Sequence, residues 1–452
     1  MKKRLIFGMM VALTAIAPIA ASCNFGSNQT GTYAKTDIAN IKPEVTKKDA
    51  EVKAAIEAGN TKKMDIALLT AGGRVNDLSF NQSVWEAISQ HSLQTDNTTS
   101  QYIEPQDDSA VPKQYDVLVA GNKNVWILTG FQHSYLFAQW LSIESNLNAV
   151  ANKDVVIIGV DWVLSGLTDA QQQKLKGKII TLNYKTEEAG WIAGYASGDY
   201  LAKKFPDDRN KRGIATFGGH SGKGVTDFIT GFLSGIEKFN SEAGNVNKKA
   251  KITSTPIVTD TNFSTADTAK VETVKSITRT GNPAIILPVA GPFTTIVAQE
   301  IASSGKSQSI IGVDTDQSKA FPSQQSVFFT SIEKRIGTTI YRVLTDLFTK
   351  KANSDIISDF NTNPKIQNIR LGYWDEFVSL SNSTKAGDDK SLADGAIAEA
   401  IKKFKEIVPE SKKAEATSLL GIKEMVDVNT NGKTVKAYNE EILNGIIAEI
   451  NK

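Results

Sequence analysis

Three apolar runs each lead into a polar residue or segment. Asp161 follows VVIIGV, Asp314 follows SIIGV, and AGGRVNDLSFNQS (71–83) follows IALLT. Carboxylates and amides at such points accept hydrogen bonds from hydroxyl groups, and in open parallel sheets ligands bind outside the carboxyl ends of the strands. An aspartate after a strand also serves as a helix cap or turn former. Three such sites at equivalent positions on two sheets favour a shared cleft. Phe80 and Phe263 stand in polar loops after strands, among Ser, Asn, Thr and Asp. Such a ring either anchors its loop or stacks on a flat base, which gains about 1–3 kcal/mol.

Other chemistries fail on spacing. FGGHSGKGV (217–225) has three residues between Gly218 and Gly222 where a phosphate loop needs four, and Gly224 follows Lys223 where that loop needs Ser or Thr. It reads as a glycine-rich strand-to-helix turn. There is no GxSxG elbow, and VDTDQS (313–318) lacks the glycine and distal glutamate of a calcium loop. One cysteine and three scattered histidines (His91, His133, His220) make neither a zinc site nor a disulfide. No metal or cofactor is expected, and no catalytic set.

The elements that would position these residues alternate. Apolar strand-like runs lie at 64–69, 125–129, 155–160, 179–182, 214–217, 252–258, 284–288, 309–313 and 327–330. Helical patterns lie between most of them, at 81–91, 134–145, 187–204, 225–239, 268–278, 293–303 and 334–350. Continuous apolar strands alternating with helices predict an α/β architecture of parallel sheets covered on both faces, with enough strands for two sheets. After a charged, glycine-containing break at 385–390, amphipathic helices at 396–407 and 435–450 form an appendage.

The chain has 452 residues with 51 basic and 49 acidic side chains and 40% hydrophobic residues, ample for more than one domain. Its first residues are Met1, Lys2, Lys3 and Arg4, then uncharged, mostly apolar residues from Leu5 to Ala21. That is the pattern of a secretory signal; a short transmembrane anchor is the alternative. Cys23 directly follows Ala20, Ala21 and Ser22, which resembles the lipobox of bacterial lipoproteins. By that resemblance cleavage after residue 22 leaves a lipid-modified Cys23, and two acyl chains suffice for stable anchoring. Removing residues 1–22 takes the net charge from +2 to −1, so no basic footprint for nucleic acid remains. Residues 23–61 read as a polar tether with one short helix at 47–58.

Together VNDLSFNQSVWEA (75–87), VVIIGVD (155–161), KTEEAGWIAGYASG (185–198), NFSTAD (262–267), IIGVDTDQS (310–318) and TSIEKRI (330–336) resemble the basic membrane protein family of substrate-binding lipoproteins. Its best-understood members bind purine nucleosides for an ABC transporter. The resemblance implies a type I periplasmic-binding fold, two doubly wound lobes with the ligand between them. It implies chain crossings at 183–186, at 314–318 and after 350, so that 62–184 with 315–355 form the first lobe. The second lobe would be 185–314 with 356–452. It implies base stacking by Phe80 and Phe263, a base contact by Asn81, and ribose contacts by Asp161, Gly291, Asp314 and Lys334. Partners would be a nucleoside, a permease, and the membrane through the lipid anchor on the extracellular face.

One departure stands out. The family commonly carries a base-reading aspartate after the threonine that ends the first strand, and this chain has Ala71 after Thr70. The motif around Phe263 also departs from the usual pattern. Another small solute such as a sugar, and a surface role in adhesion or immune exposure, are the alternatives. An enzyme acting on nucleosides is disfavoured, because Asp161 and Asp314 fall in different lobes. If Cys23 is the lipidation site, Cys23→Ser abolishes incorporation of labelled fatty acid and leaves the precursor uncleaved, which mass spectrometry of the amino-terminal peptide reads directly.

Overall fold

The computed structural model describes Phe25–Gly26 and residues 38–452, apart from 72, 96, 97 and 364. Cys23 and the expected cleavage site lie outside the described residues. The first sheet holds β1 (Phe25–Gly26), β2 (Met64–Thr70), β3 (Thr98–Ile103), β4 (Val125–Thr129), β5 (Val156–Val160) and β6 (Ile179–Tyr184). The second holds β7 (Gly213–Gly218), β8 (Lys251–Ile252), β9 (Ile285–Val289), β10 (Ser309–Asp314) and β11 (Phe328–Lys334). Two late strands return, β12 (Gln367–Leu371) to the first sheet and β13 (Val378–Leu380) to the second. The orders are β1-β3-β2-β4-β5-β6-β12 and β13-β11-β10-β9-β7-β8. All pairs are parallel except β1 with β3 and β11 with β13.

Each sheet is covered by helices, so β4, β5, β7 and β9 are buried along their whole length. Water is excluded from both faces, which is why these strands are continuous apolar runs rather than alternating ones.

The lobe boundaries differ from those expected. The chain passes from the first sheet to the second after Tyr184, but the return at 314–318 is corrected: β11 pairs with β10, Ile311 opposite Thr330 and Val313 opposite Ile332, and so still belongs to the second sheet. The chain returns only after Lys334, when helix Ile336–Phe348 packs on helix Phe80–Gln94 of the first lobe. It crosses for the third time after β12, which pairs with β6. Ladder pairing outweighs the loop signal at 314–318 because a strand so apolar must find a partner inside a sheet.

The tether also begins to fold earlier than expected. Pro43 at the first turn starts helix Lys42–Glu57, and Ile41 and Val52 are buried in the main hydrophobic core. Glu44 forms a two-pronged pair with Arg342 at 2.8 and 2.9 Å. The expected strand 252–258 pairs only at Lys251–Ile252. Around and beyond it the main chain divides its bonds between β7, with Thr253 N donating to Ile214 O and Gly218 N to Val258 O, both at 2.8 Å, and side chains of the C-terminal helix Val435–Asn451: Asn451 bonds both polar groups of Ile252, and Asn444 accepts from Ile257 N. Helix Gly387–Ile407 starts inside the expected break, with Asp388 and Asp389 in its first turn, where acidic side chains favour the helix dipole.

Helices Thr186–Lys204 and Lys223–Ser241 pack through glycines. A Cβ on Gly194 would lie 2.0 Å from Phe232 O, one on Gly231 2.1 Å from Glu187 O, and one on Gly235 2.1 Å from Trp191 O. Backbones therefore touch where side chains normally separate helices. Gly194→Ala is expected to cost about 1–3 kcal/mol in chemical denaturation, as overpacked cores do. Gly395→Ala, with nothing within 4 Å, is expected to stabilise by about 0.5–1 kcal/mol.

Candidate functional site

Asp161 ends β5 of the first lobe and Asp314 ends β10 of the second, and both residues adopt left-handed backbone conformations, φ 69° and 66°. That conformation is unusual for a residue with a side chain, and here it occurs at matching strand ends facing one another. Between them stands Lys334, the last residue of β11, 4% exposed. Its Nζ donates to Asp161 Oδ2 at 2.8 Å and to Gly224 O at 3.4 Å, and lies 3.8 Å from Asp314 Oδ1. The Phe80 and Phe228 rings flank the ammonium at 5.7 and 5.1 Å, within cation–π range. Burial by itself would depress the Lys334 ammonium; the carboxylates of Asp161 and Asp314 outweigh it and hold the pKa above the usual lysine value. Burial pushes the Asp314 carboxyl up, against the pull of Lys334.

The first-lobe rim is built by Asp77. Its carboxylate accepts from the backbone N–H of Ser79, Asn81 and Gln82, fastening the start of helix Phe80–Gln94. Burial nevertheless pushes Asp77 up to about 6. Fastened in this way, Ser79 reaches across and donates to Asp314 Oδ2 at 3.1 Å. Gly291 of the second lobe leaves it room, since a Cβ there would lie 2.9 Å from Ser79 Oγ. On the other rim Phe131 stacks on His220, ring centroids 4.2 Å apart and planes at 27°.

The structure thus brings together Phe80, Asp161, Gly291, Asp314 and Lys334. Asn81 is engaged within its own lobe: its Nδ2 donates to Asp77 and its Oδ1 accepts from Thr129 Oγ1 at 2.7 Å. Phe263 lies against Gly219, 39% exposed, and among the described residues it makes no ring contact with Phe80. Sequence reasoning missed Ser79, Gly224, Phe228 and the Phe131–His220 stack. Asp77 carried a usable signal, an aspartate two residues before a serine at the start of a helix; the others are set by the approach of two lobes, which no local pattern records. A cavity of about 270 Å³ adjoins the cluster, walled by Asp314, Thr315, Lys334, Arg335 and the segment 38–40. Among the described residues no group of His, Cys, Asp and Glu side chains could hold a metal ion, and no helix is long and apolar enough to cross a membrane.

A family model described as "Bmp: ABC transporter substrate-binding protein PnrA-like" matches residues 64–361. The chain belongs to this family. As an ABC transporter substrate-binding protein it works outside the cytoplasm and binds a small molecule. Among solved structures, a solute-binding protein of an ABC transporter system from Aeropyrum pernix K1 matches 86% of this chain and 98% of its own, at 14% identity and a TM-score of 0.58. That likeness shows a shared periplasmic-binding fold. A transcriptional activator of the comK gene from Bacillus halodurans (16% identity, 75% and 96% coverage, TM-score 0.48) is also similar. So is a solute-binding protein from Actinobacillus succinogenes 130z with bound D-allose (15%, 74% and 100%, 0.48). No curated protein matches the chain.

Removing Lys334 leaves the partly buried carboxylates of Asp161 and Asp314 facing each other without a counter-ion. Breaking a buried pair in this way costs about 3–5 kcal/mol. Lys334→Met is expected to lose that much at pH 7. Part of it returns on acidification, because burial already pushes the Asp314 carboxyl up and, with Lys334 gone, the folded form takes up a proton there as pH falls. Urea titrations at pH 7 and pH 4.5 check both parts.

Proposed function

We propose that the protein is a lipid-anchored receptor that captures a nucleoside, with a purine base favoured, and hands it to an ABC-type permease. The observation that carries this reading is the buried Asp161–Lys334–Asp314 cluster with Phe80 beside it. Carboxylates from two lobes accept from the hydroxyls of a sugar, the ammonium donates to them, and Phe80 offers a face for a base. A ligand that touches both lobes favours the closed arrangement, since only there are both sets of groups within reach. Lipid anchoring rests on the Cys23 motif.

A sugar or polyol is the second reading, and one observation favours it: Ala71 stands where a base-reading carboxylate is common. The same carboxylates and ammonium would bind its hydroxyls without any base.

Thermal unfolding of the protein, freed of carried-over ligand, against nucleosides, free bases, sugars and amino acids distinguishes the two. A ligand at a hundred times its Kd adds about 2.7 kcal/mol to stability. The expected outcome is a shift confined to nucleosides, abolished in Asp314→Ala and weakened by about 1–3 kcal/mol of binding in Phe80→Ala. A shift with sugars that Phe80→Ala leaves intact would establish the second reading instead.

A further inference from the structure

The family match ends at residue 361, yet the chain continues into helices that lean on the second lobe. We propose that the last helix, Val435–Asn451, is a brace whose Asn439, with Asp427 just before the helix, positions the loop 219–223. That loop presents His220 to Phe131 as a latch between the lobes.

Phe131 follows β4 of the first lobe and His220 follows β7 of the second, so their stack joins the lobes at the ends of the strands rather than through the three chain crossings. A latch of two rings works only if each is held in orientation. The His220 ring is turned by its own loop, its Nδ1 accepting from Gly222 N at 2.9 Å. Gly222 has no room for a side chain: a Cβ would lie 2.9 Å from Asp427 Oδ1 and 3.0 Å from the His220 ring.

The loop is in turn held from outside. Asn439, fully buried, donates through Nδ2 to Ser221 O at 2.7 Å and to Val426 O at 2.9 Å, and accepts from Val426 N at 3.0 Å. One amide therefore ties the residue after His220 to the segment that carries Asp427. Asp427 Oδ1 accepts from Lys223 N at 2.6 Å, capping helix Lys223–Ser241. Glu440, the neighbour of Asn439, accepts from Thr259 Oγ1 at 2.8 Å, and Thr259 is bonded to Ser221 Oγ at 2.7 Å. The residues that follow His220 are thus fixed by the C-terminal segment, while Gly219 before it is bonded to Val289 and Asn262. The next residue, Gly224, offers its carbonyl to Lys334, so the same loop meets the buried cluster. Asn439 and Asp427 touch no ligand in this proposal; they are positioning residues.

The proposal concerns lobe closure and stands whichever solute is bound, so its test uses no ligand. Spin labels on Ile143→Cys in the first lobe and Val246→Cys in the second, both exposed, are placed in the full chain carrying Cys23→Ser. Distances between them are read by double electron–electron resonance. The wild-type distribution is expected to contain the closed distance. Asn439→Ala and His220→Ala each lower the closed-to-open ratio about fivefold, the weight of one hydrogen bond or ring contact, and the double variant goes no further than either. Leu443→Ala, on the same helix and equally buried, lowers the melting temperature without moving the distribution. At the exposed end of the brace Asp427→Ala shifts the ratio while Asp427→Asn, which keeps an acceptor, does not; this arm carries the test if Asn439→Ala fails to fold. The proposal is overturned if the closed distance is missing from wild type. It is also overturned if Asp427→Ala leaves the ratio unchanged, or if Leu443→Ala shifts it as far as Asn439→Ala.

Discussion

The ammonium of Lys334 sits where an isolated charge would be ruinous, and its neutralisation organises the cleft. Desolvating a lysine costs several kcal/mol, so it must meet carboxylates, and the two it meets come from opposite lobes. Neither lobe alone satisfies it. A buried pair of this kind adds little net stability compared with apolar residues of the same size, so stability is a poor explanation for it. A charge whose partners lie on two bodies is better understood as an element that couples the two lobes.

The rest of the fold serves to bring those strand ends to one point. Parallel pairing places the carboxyl ends of β5, β10 and β11 on the cleft side. The glycine contacts between helices Thr186–Lys204 and Lys223–Ser241 draw the second helix close, and its first turn then abuts Asp161: a Cβ on Gly224 would lie 3.0 Å from the carboxylate. On the crossing side Arg370 of β12 binds Glu187 at 2.9 Å and Asp227 at 3.1 Å, one on each of those helices. Burial, with Glu187 alongside, pushes the Asp227 carboxyl up, and the Arg370 guanidinium opposes it. The lobes are therefore pinned by charge on both sides of the crossing strands.

What could be read in the chain beforehand follows the same physics. Strands buried on both faces must be apolar throughout, so β2, β4, β5, β7, β9 and β10 were legible as runs, and the aspartates ending two of them were legible as site candidates. Edge strands carry no such signature. TTSQYI of β3 and QNIRL of β12 are mixed in polarity because one side or one edge meets solvent, and missing β12 displaced the lobe boundary. The run at 252–258 is apolar enough to look like a strand, yet its backbone bonds to β7 are few, and a helix offering Asn and Glu side chains takes the place of a continuous ladder. Asn81 was assigned outward to a ligand, and its two amide ends are instead engaged with Asp77 and Thr129. A motif preserves residue types; it does not say which hydrogen bonds they have left over.

The same reasoning bears on the position that departs most from the family pattern. Ala71, only 8% exposed, offers no side-chain polar atom, but its carbonyl accepts from Gln132 Nε2 at 3.1 Å. The Gln132 amide oxygen lies 2.9 Å from where a Cβ on Gly130 would stand, and that Cβ would also lie 3.3 Å from the Ala71 methyl. The end of β2 is thus furnished by an amide from the loop after β4 rather than by a carboxylate of its own. A carboxylate only accepts, and its charge singles out ligand edges that donate; an amide presents an acceptor and a donor at no net charge. With its Nε2 committed to Ala71, Gln132 keeps an acceptor oxygen at this end of the sheet, so the exchange removes the charge without removing the acceptor. Under the proposed function, discrimination at this end of the sheet would rest on hydrogen-bond direction and shape rather than on charge, and the charged contacts to a ligand would come from the Asp161–Lys334–Asp314 cluster.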